Sequence, residues 1–144
     1  MTDIFVRELQ ENDLSNGFLD TLNSLNVSIP SLSETQLIFE KIKSLQNHHI
    51  FVCVKNSKII GTATLLIEQK FIHNGRKVAH IEDVVVHIDF QKHGVGTTLI
   101  EFLLDYSKQS GCYKVVLSCL NETKPFYEKI GFTSHLEGMR YDFS

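Results

Sequence analysis

Gln91-Lys92-His93-Gly94-Val95-Gly96 decides how this chain is read. Before it stands His80-Ile81-Glu82-Asp83-Val84-Val85-Val86, a β-branched run that reads as a strand. After it, Leu99, Ile100, Phe102, Leu103 and Tyr106 recur at helical spacing. Gly94 and Gly96 allow positive φ and a close approach of another molecule to the backbone. The loop opens a helix expected from Thr97 onward, whose first amides have no internal partner. With the helix dipole added, the result is an anion site suited to a pyrophosphate, and Lys92 brings further positive charge. No Gly-Lys-Ser/Thr follows, so this is not a Walker loop, and Leu99 stands where a dinucleotide fingerprint needs its third glycine. A plain helix-entry turn is the competing reading.

Working outward, Ile4 to Leu9 reads as a first strand. Glu11-Asn12-Asp13 starts a helix with Leu14, Phe18, Leu22 and Leu25 on one side. Ser28-Ile29-Pro30-Ser31 breaks the chain. Ser33, with Gln36 three residues on, caps a second helix striped by Leu37, Ile38, Ile42 and Leu45. Three strands follow, at His49–Val54, Ile59–Glu68 and Lys77–His87. Turns at 55–58 and Asn74-Gly75 join them. The helix after the glycine loop stops at Gly111. Tyr113–Leu117 is a buried-type strand, Glu122–Lys129 a short helix, and Met139–Phe143 a final strand. The order predicts an α+β domain over residues 1–144: a mixed, mostly antiparallel sheet flanked by helices and closed by a βαβ unit.

The bulk numbers fit one hydrophobic core: 144 residues, 42% hydrophobic and 22% charged. A net charge of -3 gives no global attraction to nucleic acid or to an anionic membrane. No apolar run reaches about 18 residues, so no membrane span is expected. The start, MTDIFVREL, lacks the pattern of a signal peptide. Cys53, Cys112 and Cys119 form no framework spacing and read as reduced thiols, consistent with a cytoplasmic protein. The seven histidines show no His-x-x-x-His, and there is no Cys-x-x-Cys, so no metal is expected.

A second unit lies downstream, Lys124-Pro125-Phe126-Tyr127-Glu128-Lys129-Ile130-Gly131-Phe132. Gln-x-x-Gly-x-Gly followed some thirty residues later by Phe-Tyr-Glu-Lys-x-Gly-Phe resembles the GNAT superfamily of N-acetyltransferases. With His80–Val86 and Gly111-Cys112-Tyr113-Lys114-Val115-Val116-Leu117 added, it resembles the branch of that superfamily that acetylates glucosamine 6-phosphate. The resemblance implies the GNAT acyltransferase fold, with strands splayed at the coenzyme A site. It also implies direct transfer from acetyl-CoA to the sugar amine, supply of UDP-N-acetylglucosamine precursor, a homodimer, and no metal.

The resemblance implies site residues as well. The donor is held by Val84, Val85 and Val86, by Gln91, Lys92, His93, Gly94, Val95, Gly96 and Thr97, and by Ser118, Thr123 and Tyr127. Tyr127 protonates the leaving thiolate, and a backbone amide of the splayed strand stabilises the oxyanion. Glu82 and Asp83 contact the sugar and its amine. On a regular strand they point to opposite faces, and a bulge re-aims one of them. Lys70, Phe71, Ile72, His73, Tyr113, Lys114 and Arg140 serve the sugar phosphate, and Asn26 adds one polar contact. Ser118 stands where that branch carries an acid, which leaves Glu82 or Asp83 to take the amine's proton. Arg140 directly follows Met139, one or two positions earlier than the pattern places its arginine. Two other readings stay open: a GNAT enzyme for another primary amine, and an acyl-CoA-binding module without catalysis.

Overall fold

Central strands covered on both faces need continuous apolar runs, and Phe51 to Val54 and Ile59 to Ala63 are such runs, buried throughout. The computed structural model describes residues 3–144. Met1 and Thr2, part of the stretch read as lacking a leader, lie outside the described residues. Five strands pair in sequence order: β1 (Ile4–Glu8), β2 (His48–Lys55), β3 (Lys58–Gln69), β4 (Lys77–Val86) and β5 (Cys112–Leu117). The first four are antiparallel neighbours, and β5 runs parallel to β4. The β2–β3 hairpin turns on Asn56 and Ser57, both left-handed (φ 50° and 62°), the conformation that suits a tight hairpin.

On one face of the sheet lies α4 (Val95–Gln109). Its Leu99, Ile100 and Leu103 pack on Phe51, Ala63, Leu65, Ala79 and Ile81. α5 (Lys124–Ile130) joins this core through Tyr127. The opposite face is covered over β2 and β3 by a 3-10 turn (Glu11–Ser15), α1 (Phe18–Asn23) and α2 (Leu32–Lys43). Leu14, Phe18 and Phe39 pack there on Val52, Val54 and Ile59. The single helix expected from Glu11 is therefore two pieces. Gly17 (φ 102°) breaks it, and a Cβ at Gly17 would stand 2.4 Å from the Ile59 carbonyl oxygen. The 3-10 turn is pinned to β1 by Asp13, which is 3% exposed. Asp13 accepts two hydrogen bonds from the Arg7 guanidinium (2.7 and 2.9 Å) and one from the Gln10 amide (2.8 Å).

Three further expectations change. α2 is capped by Ser31, not Ser33: the Ser31 hydroxyl accepts from the Glu34 amide, and Glu34 accepts from the Ser31 amide. Glu34 also places a negative charge at the positive end of the helix, which Gln36 cannot. Leu37 and Leu45 of the expected stripe are exposed, and the packed residues are Thr35 and Phe39. α2 thus stands off the sheet. Finally, Met139–Phe143 is not a strand. Residues after α5 form an arm without helix or strand, and Leu136, Met139, Tyr141 and Phe143 are exposed. Their alternation is that of a strand, but no neighbour among the described residues pairs with them.

Candidate active site

The site is built on a defect in β4. Thr62 pairs with Val85 and Thr64 with Glu82, so two residues, Asp83 and Val84, stand opposite Ala63 alone. This is a β-bulge, and Asp83 takes a left-handed φ of 50° to make it. Ile81 and Val84 both pack toward α4. Glu82 stands opposite Thr64 on the other face, and Asp83 lines a cavity there with Thr62 and Thr64. The extra residue turns two neighbouring carboxylates to one face of the sheet.

The same stretch has an open edge. β4 pairs with β5 only from Lys77↔Cys112 to Ile81↔Leu117, so Glu82–Val86 has no strand on that side. The His87 amide donates to the Ile60 carbonyl at 2.8 Å. By alternation the amides and carbonyls of Val84 and Val86 aim away from β3, into the gap. The Gln91 side chain confirms the direction by donating to the Val86 carbonyl at 3.1 Å. Facing the gap is α5, whose Phe126 lies against Gly96 and whose Tyr127 packs edge-on to Phe126 (4.9 Å) and Phe132 (5.6 Å). Tyr127 is 9% exposed and lines a cavity of about 590 Å³ that runs beside β5, past Lys114 to Cys119. Burial first, and then the nearby Cys119 sulfur, raise its phenol pKa above the ordinary value. The shift favours the protonated phenol.

Beyond the gap the chain passes Lys92 (φ 65°) and reaches Gly94 (φ 82°), the N-cap of α4, which has no side-chain cap. The helix begins at Val95, two residues before the expected Thr97. The first amide with a helical partner is that of Thr98, bonded to the Gly94 carbonyl at 3.0 Å. The amides of Val95, Gly96 and Thr97 are those a helix leaves free for an anion. The two glycines differ in purpose. Nothing lies within 4 Å of a Cβ built on Gly94, whereas one on Gly96 would stand 3.1 Å from Phe126 Cζ. Gly96 is helical and small for its aromatic neighbour, and Gly94 is the open, left-handed position. Gln91, Lys92 and His93 are exposed around it.

Ser118 and Cys119 are exposed beyond the end of β5. Thr123 turns its hydroxyl back to the Leu120 carbonyl (3.0 Å) and does not cap α5 with its side chain. Asn26 (φ 56°) is exposed in the α1–α2 connection, which also carries Ile29 and Pro30 to the Asp83 cavity.

The residues expected at the phosphate lie elsewhere. Lys70 is paired with Glu68 (3.1 Å), which also bonds His80 (2.9 Å). Phe71 and Ile72 stand exposed at the β3–β4 tip, where α3 (Ile72–Gly75) is one turn with His73 and Asn74 left-handed. The His73 ring lies 4.6 Å from that of Tyr113, and Lys114 lies 5.4 Å from the same ring. Arg76, absent from the sequence-derived set, sits 4.8 Å over it. Arg140 is exposed on the arm and pairs with Asp142 at 2.7 Å. Lys114 is level with Val78, six residues from Val84 and so roughly 20 Å away at about 3.3 Å per residue. The candidate residues thus form two groups at opposite ends of β4. Among the described residues no group of three or more His, Cys, Asp or Glu is placed to hold a metal.

Residues 15–132 match the acetyltransferase (GNAT) family. The chain is 38% identical to a glucosamine 6-phosphate N-acetyltransferase of Arabidopsis thaliana, over 90% of this chain and 89% of that protein. It is also 38% identical to the one of Trypanosoma brucei brucei, over 99% and 97%. A crystal structure of glucosamine-6-phosphate N-acetyltransferase from Arabidopsis thaliana superimposes with a TM-score of 0.91 at 38% identity, covering 99% of both chains. An aminoglycoside acetyltransferase in complex with sisomicin, at 21% identity and a TM-score of 0.77 over 98% of this chain and 95% of that one, shares the fold.

Proposed function

The chain belongs to the acetyltransferase (GNAT) family, and from that premise we propose that it moves the acetyl group of acetyl-CoA to the amine of D-glucosamine 6-phosphate. The products are N-acetylglucosamine 6-phosphate and CoA. The observation that carries the reading is the unpaired edge of β4 at Glu82–Val86, set between the uncapped start of α4 and buried Tyr127. An extended pantetheine arm fits there as an added strand, with its amides on the Val84 and Val86 backbone. The free amides of Val95, Gly96 and Thr97, with Lys92 beside them, suit its pyrophosphate, and the open space at Gly94 allows the approach.

In this reading Glu82 or Asp83 takes the proton of the sugar ammonium, directly or through water. The freed amine attacks the thioester carbonyl, and a Val84 or Val86 amide stabilises the oxyanion. The C–N bond forms and the C–S bond breaks. Tyr127 gives its proton to the departing thiolate and recovers one from the new amide nitrogen. No covalent enzyme intermediate is needed. Ser118 offers no charge, so the carboxylates of the bulge carry the proton transfer.

In this reading a second subunit completes the phosphate end. The span between the two groups of site residues, roughly 20 Å along β4, is longer than a hexose phosphate, which supports a site shared between two chains. In a homodimer the partner presents its own copy of the cluster at Lys70–His73, Arg76, Tyr113 and Lys114, with Arg140 on the arm. The exposed Leu136, Met139, Tyr141 and Phe143 give that arm an apolar face to bury, and β5 offers a free edge beside the Tyr127 cavity. A cytoplasmic location and a role in supplying UDP-N-acetylglucosamine precursor belong to the same proposal. The test is thiol release from acetyl-CoA with glucosamine 6-phosphate and a panel of other amines. Release with the sugar phosphate is expected. Release only with another amine overturns the acceptor, and no release with any amine points to a binding module.

A further inference from the structure

Of the three cysteines, Cys119 alone is open to solvent. Cys53 is fully buried, and burial pushes its thiol up to about 11. Cys112 is half-buried at the start of β5, and burial raises it too, against a smaller opposite pull from Lys77. Cys119 lies two residues past Leu117, the last residue of β5 that pairs with β4. It therefore stands on the β5 side of the gap that opens at Glu82. With Tyr127 it lines the cavity of about 590 Å³ beside β5, and Lys124 lines it as well. A buried polar group points to a ligand in that cavity. Tyr127 is 9% exposed, yet among the described residues its hydroxyl has no hydrogen-bond partner. No fully enclosed side-chain oxygen or nitrogen lacks a partner among the described residues, so this hydroxyl opens on the cavity that Tyr127 lines. The Cys119 sulfur is close enough to add to the rise in that phenol's pKa. A ligand sulfur seated on Tyr127 is thus brought beside a second, exposed sulfur.

We propose that Cys119 is a modification site for coenzyme A itself, forming a mixed disulfide with the coenzyme when its disulfide form is seated in the donor cradle. The inference rests on the donor half of the proposed function and is independent of the acceptor. One half of CoA disulfide lies along the Glu82–Val86 edge as the donor does, with its pyrophosphate on the amides of Val95, Gly96 and Thr97. Its sulfur then comes to Tyr127. The Cys119 thiolate attacks that sulfur. A new S–S bond joins Cys119 to the seated half, and the S–S bond to the other half breaks. The other half leaves as a thiolate and takes up a proton from water, replacing the one that Cys119 lost. Cys119 is oxidised and the released CoA sulfur is reduced, so the exchange needs no further oxidant. The tethered coenzyme fills the place of acetyl-CoA, and the enzyme stops until a free thiol reverses the step. Cys53, closed off in the core, and Cys112, at the other end of β5, stay unmodified.

The experiment incubates the full chain with CoA disulfide and follows its intact mass, the modified peptide, and acetyl transfer to glucosamine 6-phosphate. Oxidised glutathione serves as a disulfide without the nucleotide, and CoA lacking its sulfur as a competitor for the cradle. One CoA per chain is expected, on Cys119, formed roughly tenfold or more faster than the glutathione adduct at equal concentration. The competitor should suppress it. Acetyl transfer should fall in proportion to the modified fraction, and dithiothreitol should restore it. Cys119→Ser should take up no CoA and keep its acetyl transfer, which also reports that the variant folds. An adduct that persists in Cys119→Ser or maps to Cys112 overturns the inference. So does an adduct that glutathione matches in rate and the competitor does not suppress, since that is an ordinary exposed thiol. An active enzyme that takes up no CoA, or takes it up without losing turnover, overturns the inference alone. A competitor-sensitive adduct on a chain that acetylates no amine keeps the inference and overturns the activity. Neither adduct nor transfer removes the shared donor site and both readings with it.

Discussion

Tyr127 and Asp13 are both buried, and burial favours the protonated form of each, but only at Asp13 do charged and hydrogen-bonding partners reverse it. For Tyr127 it raises the pKa above the ordinary 10.0, keeping the phenol protonated. Tyr127→Phe should lower kcat by about 100-fold with acetyl-CoA affinity unchanged. Equal loss of both would mean the hydroxyl serves packing only. If the phenol is the donor, activity falls as pH rises through that raised pKa, and a pH–rate profile of Tyr127→Phe loses this alkaline limb. For Asp13 burial alone would raise the pKa, but the Arg7 hydrogen bonds and the Gln10 amide outweigh it, and the carboxyl lies below its ordinary 3.8. A folded-state pKa below the unfolded one means stabilisation present above the unfolded value and lost as pH falls through the folded one. Arg7→Met should therefore cost about 3 kcal/mol at neutral pH and flatten the acid side of the stability curve, as urea melts at pH 3, 5 and 7 would read. Glu82, Asp83 and Tyr127 were singled out by their types and by the family resemblance of the stretches that carry them. The left-handed turn at Asp83 was not, because it follows from β3 supplying one residue where β4 supplies two.

At the scale of elements, the strand–loop–helix unit around Gly94 was visible in local pattern, while its division of labour depends on a residue some thirty positions away. Gly96→Val should drive its side chain into Phe126, loosen α5 and with it Tyr127, and lower the melting temperature. Adding Phe126→Leu should return part of that stability, and no recovery would detach Gly96 from α5. Gly94→Val meets no neighbour but must hold a β-branched residue at φ 82°, at a cost of about 1–3 kcal/mol, with acetyl-CoA affinity lowered further by the blocked approach. The two variants thus separate packing from ligand access, which two glycines in one motif do not reveal on paper. The first helix was misread for a related reason. Leu14, Phe18, Leu22 and Leu25 keep helical spacing across Gly17, but the backbone of β3 comes so close that the chain must kink there. The cavity under α2 was equally invisible, since periodicity says which residues are apolar and not how closely two elements meet.

For the whole molecule, the two groups of site residues make subunit exchange the decisive assay. Lys114→Ala should raise KM for glucosamine 6-phosphate about tenfold, and an unchanged KM rejects its phosphate role. Tyr127→Phe and Lys114→Ala chains, each impaired alone, should regain about a quarter of native activity when refolded together, because half the dimers are mixed and each mixed dimer holds one intact site. No recovery would place the whole site in one chain. The arm after α5 shows why one chain misleads: Met139, Tyr141 and Phe143 alternate like a strand, and a strand exists only where a second backbone meets it. The unpaired stretch of β4 extends that point to the life of the protein. Five residues of strand edge with no neighbouring strand are a template for adhesion between molecules, so the vacant enzyme is the form most exposed to clumping and to proteases. Donor present at 100 times its Kd would add about 2.7 kcal/mol to the fold and close the edge at once. The abundance of this protein would then track the acetyl-CoA supply without any dedicated sensor, its nutrient serving as its preservative.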